Sequence, residues 1–215
     1  MGTIQIELFA TLDLVGQAPG GPDEDPDDDF AFGGWQAPLI DDESGEQIAV
    51  AYEHTDALLL GRRTYDVFAD YWPHQDPDEN PFAGLFNRIP KYVASRGTPD
   101  PSWADSHLIG AVDLPADVRA LRQRHQHVTV VGSMDLVQTL LRERLFDRLD
   151  LWVHPIVLGQ GKKVFASGAV PSNLTLVEPP AASRNGIVAL KYALADGVPA
   201  TGDIEESLRE RAGDA

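Results

Sequence analysis

No cysteine occurs among the 215 residues of this chain, and that absence removes several kinds of chemistry. Disulfide bonds, thiolate nucleophiles and zinc or iron–sulfur centres held by cysteine are all excluded. The six histidines are not spaced as metal ligands, so no metal site is predicted. The chain also has no stretch of about 18 apolar residues and no basic segment leading into an apolar one. We therefore expect no membrane span and no signal peptide, and a cytoplasmic location.

Positive charge is scarce, and it is missing altogether from residues 1–61, which carry 14 of the 34 acidic residues. The net charge of −17 argues against a nucleic-acid partner, because affinity for a phosphate backbone comes from its neutralisation by lysine and arginine. A small anionic ligand is compatible with this composition where arginines reverse the field locally. The acidic run 23–29 lacks the spacing of a calcium loop and is expected to be a solvated loop.

The order of predicted elements favours one α/β domain over residues 1–196, followed by a polar tail, 197–215. Strands are predicted at 3–9, 57–60, 91–94, 107–109, 128–131, 149–158, 174–178 and 187–195, and helices at 44–54, 62–71, 115–125 and after 133. This order indicates a mixed, mostly parallel central sheet with flanking helices and a C-terminal antiparallel pair. In the tail, Asp203 and Glu206 have the spacing of a capping box for a short helix.

Two segments between these elements are predicted to be polar loops. The stretch 13–42 is rich in Gly, Pro and Asp and is too long for a simple connector, which favours a functional lid or a mobile segment. A second loop is expected around residues 77–81. The few aromatic residues of the first loop are therefore of interest for ligand binding.

Three predicted strands end in residues suited to phosphate. These residues are Gly61-Arg62-Arg63-Thr64 after the second strand, Ser95-Arg96 after the third, and Gly132-Ser133 after the strand 128–131. Glycine lets the backbone approach a phosphate closely, a helix N-terminus favours an anion, and arginine presents a planar charged group. Since ligands of open α/β sheets bind at the carboxyl ends of the strands, this edge is a predicted phosphate site. The alternative is that the arginines only solubilise a helix start and Gly61 only eases a turn.

Further motifs extend this pattern along the chain. They are Thr11-Leu12-Asp13, Gly33-Gly34-Trp35, the run Leu60 to Tyr65, Tyr71-Trp72-Pro73, Val130-Val131-Gly132-Ser133 and the run Asp150 to Gly161. In their order and spacing, these motifs resemble the dihydrofolate reductase-like superfamily. Within it they are similar to the reductase (C-terminal) domain of the riboflavin-biosynthesis deaminase-reductase and its stand-alone bacterial relatives. The resemblance covers roughly residues 3–195.

The resemblance implies an NADPH-dependent reductase, commonly a homodimer, acting on a small planar nitrogen heterocycle of the pterin or ribosylamino-pyrimidine type. It places the pyrophosphate and 2′-phosphate of NADPH on Gly61, Arg62, Arg63 and Thr64. Ser95 and Arg96 would flank the 2′-phosphate, and Gly132 and Ser133 the pyrophosphate. The chain departs from the family at Leu14, where a glycine often follows the aspartate. The alternative is a non-catalytic nucleotide-binding or dimeric structural relative of the same fold.

Two residues are candidates for the substrate side of the site. Asp13, at the end of the first strand, is the candidate to bind or protonate a substrate nitrogen, with a pKa raised by partial burial. A turn-forming aspartate is the alternative. Trp35 is predicted to stack on a flat heterocycle, with packing of the loop or a dimer contact as the alternatives. Lys162 and Lys163 are candidates to bind a substrate phosphate, unless they are simply solvated.

Overall fold

The computed structural model describes residues 1–97, 102–205 and 209. Its strands are β1 (Thr3–Thr11), β2 (Ala57–Gly61), β3 (Lys91–Ala94), β4 (Ser106–Ile109), β5 (His127–Gly132), β6 (Arg148–His154), β7 (Asn173–Leu176), β8 (Ala181–Ala182) and β9 (Val188–Ala195). Its helices are α1 (Asp42–Tyr52), α2 (Arg62–Tyr71), α3 (Pro81–Arg88), α4 (Leu114–Arg124) and α5 (Met134–Arg142), with short 3₁₀ turns at Asp27–Asp29 and Trp72–His74. Within this part of the chain, no helix is long and apolar enough to cross a bilayer.

The described strands form one sheet in the order β4-β3-β2-β5-β1-β6-β9-β7, with β8 paired to β9. From β4 to β6 neighbouring strands are parallel, whereas β9 runs antiparallel to β6, β7 and β8. This arrangement confirms the predicted α/β class, with a mostly parallel sheet and an antiparallel C-terminal part. All five residues of β2 are buried, as expected of a central parallel strand covered on both faces.

The largest differences from the sequence-based prediction concern β6 and α3. Strand β6 ends at His154 rather than continuing to residue 158, because Pro155 has no N–H to donate to a neighbouring strand. Helix α3 was not predicted: it begins at Pro81, where the sequence indicated only a polar loop around residues 77–81. Its start carries a recognisable signal: the Asn80 side chain accepts a hydrogen bond from the N–H of Phe82, and Pro81 occupies the first turn.

Helices cover both faces of the sheet. On one face the inward residues of β1, Ile4, Ile6 and Leu8, pack with Val118 of α4 and Val137 of α5. The opposite face packs against α1, α2 and α3 in a second cluster. That cluster includes Ile48, Tyr52, Leu58, Leu60, Tyr65, Phe86 and Trp152. The two clusters together hold the carboxyl ends of the parallel strands in fixed positions.

The segment 12–41, here called the acidic loop, has a small core of its own rather than being a free lid. Val15, Ala18, Phe30 and Trp35 are buried together. Backbone hydrogen bonds tie the loop to the segment after β6, with Gly16 donating to the carbonyl of Lys162 over 2.9 Å. The loop leads directly into α1, whose capping box joins Asp41 and Ser44. The acidic loop is therefore a packed part of the domain.

The tail 197–215 is only partly covered by the described residues. Asp203 accepts a hydrogen bond from the N–H of Glu205 over 2.8 Å, as a residue at a helix start does. Glu206, the second member of the predicted capping box, lies outside the described residues. The division into a domain at 1–196 and a separate tail stays a prediction.

A carboxylate is buried in the sheet at Glu7, which is 1% exposed. It accepts hydrogen bonds from the indole N–H of Trp152 and from Gln5, and it pairs in register with Asp150 on β6. Burial first, and the neighbouring Asp150 second, raise the pKa of Glu7 to about 7. Burial also raises the pKa of Asp150 to about 6. Ionising Glu7 therefore costs on the order of 3 kcal/mol more in the folded protein than in the unfolded chain.

The strand ends of β2 and β5 meet closely at Gly61. A Cβ atom at this position would lie 2.1 Å from the Oγ of Ser133 and 2.7 Å from its backbone nitrogen. The space beside Gly61 is thus filled by the protein itself, so packing requires the glycine whether or not a phosphate binds nearby. Gly45 in α1 is a contrasting case, because a Cβ there would meet nothing within 4 Å.

The buried Glu7 generates a prediction about pH. Folding keeps a proton on Glu7 that the unfolded chain releases near pH 4.5, so this contribution to the free energy of unfolding is complete below about 4.5 and is lost as the pH rises through about 7. Glu7→Gln keeps an acceptor for Trp152 but does not titrate. Its Tm should vary less than the wild-type Tm between pH 5 and 8 and exceed it at pH 8. Thermal unfolding at four pH values measures this.

The control for Glu7→Gln is Glu46→Gln, which removes an exposed carboxylate from α1. It should retain the wild-type dependence of Tm on pH. A Glu7→Gln variant with the same pH dependence as the wild type would show that Glu7 titrates equally in the folded and unfolded states.

The contact at Gly61 generates a prediction about packing. Gly61→Ala should lower the free energy of unfolding by about 1–3 kcal/mol, because the Ser133 backbone has to move. Gly45→Ala, the matched control at a helix position with open space beside it, should raise it by about 0.5–1 kcal/mol. Urea unfolding of both variants measures the two effects. If Gly61→Ala had the same free energy of unfolding as the wild type, the ends of β2 and β5 would separate without cost.

Candidate functional site

The carboxyl ends of β3, β2, β5 and β1 lie side by side at one edge of the sheet. Two cavities occupy this edge: an inner cavity of about 210 Å³ and an outer cavity of about 830 Å³. They share Asp25, Arg63, Ser133 and Met134, so together they form one continuous cleft. This position agrees with the general rule for ligand sites in open α/β sheets.

The structure brings the predicted phosphate-site residues together along this cleft. The outer cavity is lined by Arg62, Arg63, Ser95, Arg96 and Ser133, and the inner cavity by Arg63, Thr64, Gly132 and Ser133. Gly61 lies immediately behind Ser133 and supports it rather than lining the cleft. A Cβ at Gly132 would lie 2.7 Å from Oγ1 of Thr64, so this glycine lets the end of β5 approach α2.

The three arginines of the cleft differ in their partners. Arg62 forms an ion pair of 2.8 Å with Asp66, one turn further along α2. Arg63 is paired with Asp25 and, over 2.7 Å, with Asp27. The guanidinium of Arg96 is exposed and forms no ion pair with any residue of the described ranges 1–97 and 102–205. Among the three arginines of the outer cavity, Arg96 is therefore the one where an anionic ligand competes least with carboxylates of the protein.

A four-residue ionic cluster, here called the clamp, holds the acidic loop against the cleft. Asp25 and Asp27 of the loop bind Arg63 and Lys162, whose Nζ lies 2.7 Å from a carboxylate oxygen of each aspartate. Hydrogen bonds from Arg63 and then Lys162 lower the pKa of Asp27 to about 2. The partners of Arg63 were not foreseen, since they come from residues 36 and 38 positions earlier.

The clamp also decides the role of Lys162, because its ammonium group is already bound to two carboxylates. Lys163, the other candidate for a substrate phosphate, has its Nζ 3.8 Å from Asp13. Neither lysine lines the inner cavity; Lys162 lines the outer cavity as part of the clamp, and Lys163 lines neither cavity. The geometry therefore favours a structural role for both side chains.

Asp13 stabilises a turn and does not line the cleft. Its carboxylate accepts hydrogen bonds from Oγ1 of Thr11 over 2.6 Å and from the N–H groups of Leu158 and Gly159 over 3.2 and 2.9 Å. The Thr11 hydrogen bond is the main reason that the pKa of Asp13 is lowered. The expected rise in its pKa is therefore wrong, because these donors stabilise the charged form. The geometry favours the turn-forming alternative.

Trp35 lies in the small core of the acidic loop and is only 7% exposed. Its indole N–H donates to the carbonyl of Gln17 over 2.8 Å, and its ring meets that of His154 edge to face, with centroids 5.0 Å apart. Trp35 does not line the inner or the outer cavity. The geometry thus favours loop packing, one of the two alternatives to substrate stacking.

A third cavity, which the sequence analysis missed, adjoins the inner one. This apolar cavity has a volume of about 200 Å³ and shares Phe9, Gln36, Phe68, Trp72 and Val131 with the inner cavity. Aromatic residues spaced along helices are typical of a core, so their pattern did not single them out. Two of the sequence motifs reach this region, through Trp72 of Tyr71-Trp72-Pro73 and Val131 of Val130-Val131-Gly132-Ser133.

Comparison with protein families identifies a relationship over most of the chain. The family model described as the RibD C-terminal domain matches residues 3–185. The chain is 30% identical over 141 residues to uncharacterized protein YyaP of Bacillus subtilis, covering 64% of this chain and 73% of that protein. It is 28% identical over 121 residues to uncharacterized protein YwjB of the same organism, covering 53% and 60%.

Solved structures show the same fold at low sequence identity. A pyrimidine reductase-like protein from Corynebacterium diphtheriae aligns with a TM-score of 0.62 and 13% identity over 91% of this chain and 93% of its own. A riboflavin biosynthesis reductase from Saccharomyces cerevisiae aligns with a TM-score of 0.55 and 14% identity over 91% and 90%. With its mostly parallel sheet and the motifs along its strand ends, the chain has the dihydrofolate reductase-like fold and belongs to the RibD C-terminal domain family.

Proposed function

We propose that the protein is an NADPH-dependent reductase of a small planar nitrogen heterocycle, of the pterin or ribosylamino-pyrimidine type. The observation that carries this proposal is the continuous cleft at the ends of β3, β2 and β5, with arginines around its outer part and apolar walls around its inner part. A dinucleotide has matching halves: phosphates at one end and a flat, weakly polar ring at the other. The family relationship supports a reductase.

The helix starts at the cleft fit a pyrophosphate. Helices α2 and α5 begin side by side, and neither N-cap residue, Gly61 or Ser133, makes a side-chain hydrogen bond to the first turn. No N-cap side chain therefore accepts a hydrogen bond from the backbone N–H groups at the starts of α2 and α5. Thr64 and Ser133, which belong to these two starts, line the cleft, and a helix start favours an anion. We assign the pyrophosphate to Arg62, Arg63, Thr64, Gly132 and Ser133.

The outer cavity fits the adenosine 2′-phosphate of NADPH. Ser95 and Arg96 lie there at the end of β3, and Arg96 has no carboxylate partner in the described chain. A guanidinium binds a phosphate with two parallel hydrogen bonds, which distinguishes NADPH from NADH. The inner cavity then takes the nicotinamide between Phe9, Ala18 and Val131.

The chemistry of the reaction comes from the cofactor. When bound, NADPH would supply a hydride to a C=N or C=O bond of the substrate, and a proton would complete the reduction. The residues of the chain hold the reacting groups together and exclude water from them. Homodimeric assembly and a cytoplasmic location also stay proposals for this protein.

Cofactor preference tests the proposal. Wild-type protein should bind NADPH about tenfold to a hundredfold more tightly than NADH, because the 2′-phosphate contact is charge-assisted. Arg96→Gln should lose most of that preference and keep its affinity for NADH. Arg142→Gln, which removes an exposed arginine at the far end of α5, is the control and should bind both cofactors as the wild type does. Isothermal titration calorimetry of the three proteins with each cofactor measures all six dissociation constants.

Equal affinity of the wild type for NADPH and NADH would contradict the assignment of the outer cavity. A protein that binds NADPH but oxidises it with none of the planar heterocycles tried would instead support the non-catalytic alternative.

The clamp generates a second prediction about cofactor affinity. Asp27→Asn removes one carboxylate from Arg63 and from the neighbourhood of the cofactor phosphates, so NADPH should bind up to about tenfold more tightly. Asp28→Asn is the matched control: it removes the adjacent exposed charge, which is not part of the clamp. Titration of both variants with NADPH measures the difference. Weaker binding to Asp27→Asn would mean that the clamp positions Arg63 for the cofactor.

A further inference from the structure

The apolar cavity adjoins the place proposed for the nicotinamide, which makes it the position for the group that is reduced. Its walls come from the acidic loop, from α1, α2, α3 and the 3₁₀ turn at Trp72–His74, and from the ends of β1 and β5. Besides the five residues shared with the inner cavity, they are Ile40, Gly45, Ile48, Tyr52, Phe82 and Phe86. The aromatic rings interlock, with Trp72 meeting Phe86 edge to face at 5.0 Å between centroids.

The size of the apolar cavity limits what it can hold. A cavity of roughly 150 Å³ accepts one benzene ring. The apolar cavity, at about 200 Å³, therefore has room for a single ring, and two fused rings fit only where it opens into the inner cavity. A ribose with a phosphate would need additional polar space that these walls do not offer.

Charge also argues against a phosphate on this side of the cleft. Among the described residues, Arg63 is the single cationic one that lines the inner and apolar cavities, and the clamp already binds its guanidinium to Asp25 and Asp27. Glu24 and Asp25 place carboxylates on the inner cavity. An unpaired phosphate would thus meet negative charge on one side and apolar side chains on the other, and both are unfavourable.

Two hydrogen-bond donors at the junction of the cavities lack acceptors. Gln36 is only 7% exposed, and its Nε2 has no hydrogen-bond partner in the described part of the chain. The same is true of the indole Nε1 of Trp72. Both residues line the inner and the apolar cavity. A buried N–H without an acceptor is unfavourable, and a ligand carrying an acceptor would remove that penalty.

We infer that the substrate side of this cleft binds an uncharged planar heterocycle with a carbonyl or ring-nitrogen acceptor, and not a ribosylated pyrimidine phosphate. The ring packs against Phe68, Trp72 and Phe86, and its acceptor takes the hydrogen bond of Gln36. The inference rests on the proposed reductase function and selects the unphosphorylated class of substrate from the two that the function allows.

Direct binding tests the inference without turnover. Protein saturated with NADP⁺ is titrated by calorimetry with two lactams, the single-ring 4-pyrimidinone and the bicyclic pterin, and with cytidine 5′-monophosphate as the ribosylated phosphate. At least one lactam should bind, and cytidine 5′-monophosphate should bind at least tenfold more weakly. Preference for cytidine 5′-monophosphate, or no binding of either lactam, would overturn the inference.

Two variants locate the binding. Gln36→Leu keeps the side-chain size and removes the donor, so the lactam should bind about tenfold more weakly. Ile40→Glu places a carboxylate on the rim of the apolar cavity, where the side chain is 46% exposed, and should weaken lactam binding similarly. Val50→Glu is its control, since Val50 is 65% exposed and lines none of the three cavities. Unchanged lactam affinity in Gln36→Leu and Ile40→Glu would place the ligand elsewhere.

The NADPH titration of the wild type separates the two proposals. A protein that binds NADPH but favours the ribosylated phosphate keeps its proposed function and loses this inference. A protein that binds a lactam at Gln36 but no NADPH keeps the ligand class and loses the proposed cofactor.

Discussion

The close contact between the ends of β2 and β5 is the constraint on which the site depends. Gly61 allows Ser133 to sit directly against it, and Gly132 allows the end of β5 to approach Thr64. Because each strand leads straight into a helix, this contact brings the starts of α2 and α5 together. Two partial positive charges from helix ends then point into one cleft. A side chain at either glycine would separate the helices and divide the cleft.

Charge in this molecule is organised by the acidic loop. A net charge of −17 is unfavourable for an anionic ligand, and the clamp adds to the difficulty by occupying Arg63 and Lys162 with Asp25 and Asp27. The clamp also stabilises the fold locally, since it joins the acidic loop, α2 and the segment after β6. Only the outer part of the cleft, around Arg96, offers a guanidinium without a bound carboxylate in the described residues. The cleft is therefore more favourable for an anion at its outer end than at its inner end.

Family membership and substrate are separate matters in this protein. The RibD C-terminal domain family and the shared fold account for the architecture of the sheet and its helices. The apolar cavity is built largely by side chains of the acidic loop, α1, α2 and α3. A fold supports many substrates, and the residues that line the cavity select among them.

The sequence alone determined the alternation of strands and helices, because hydrophobic periodicity is local, and it located the strand ends with Gly61, Arg96 and Ser133 for the same reason. The signal for the start of α3, Asn80 followed by Pro81, is equally local. Tertiary structure alone decided which groups meet. Asp13 binds the backbone of Leu158 and Gly159, Arg63 binds a loop 36 to 38 residues away, and Trp35 packs on His154. The ionisation of a carboxylate and the freedom of an arginine depend on such distant partners, which no local pattern of residues contains.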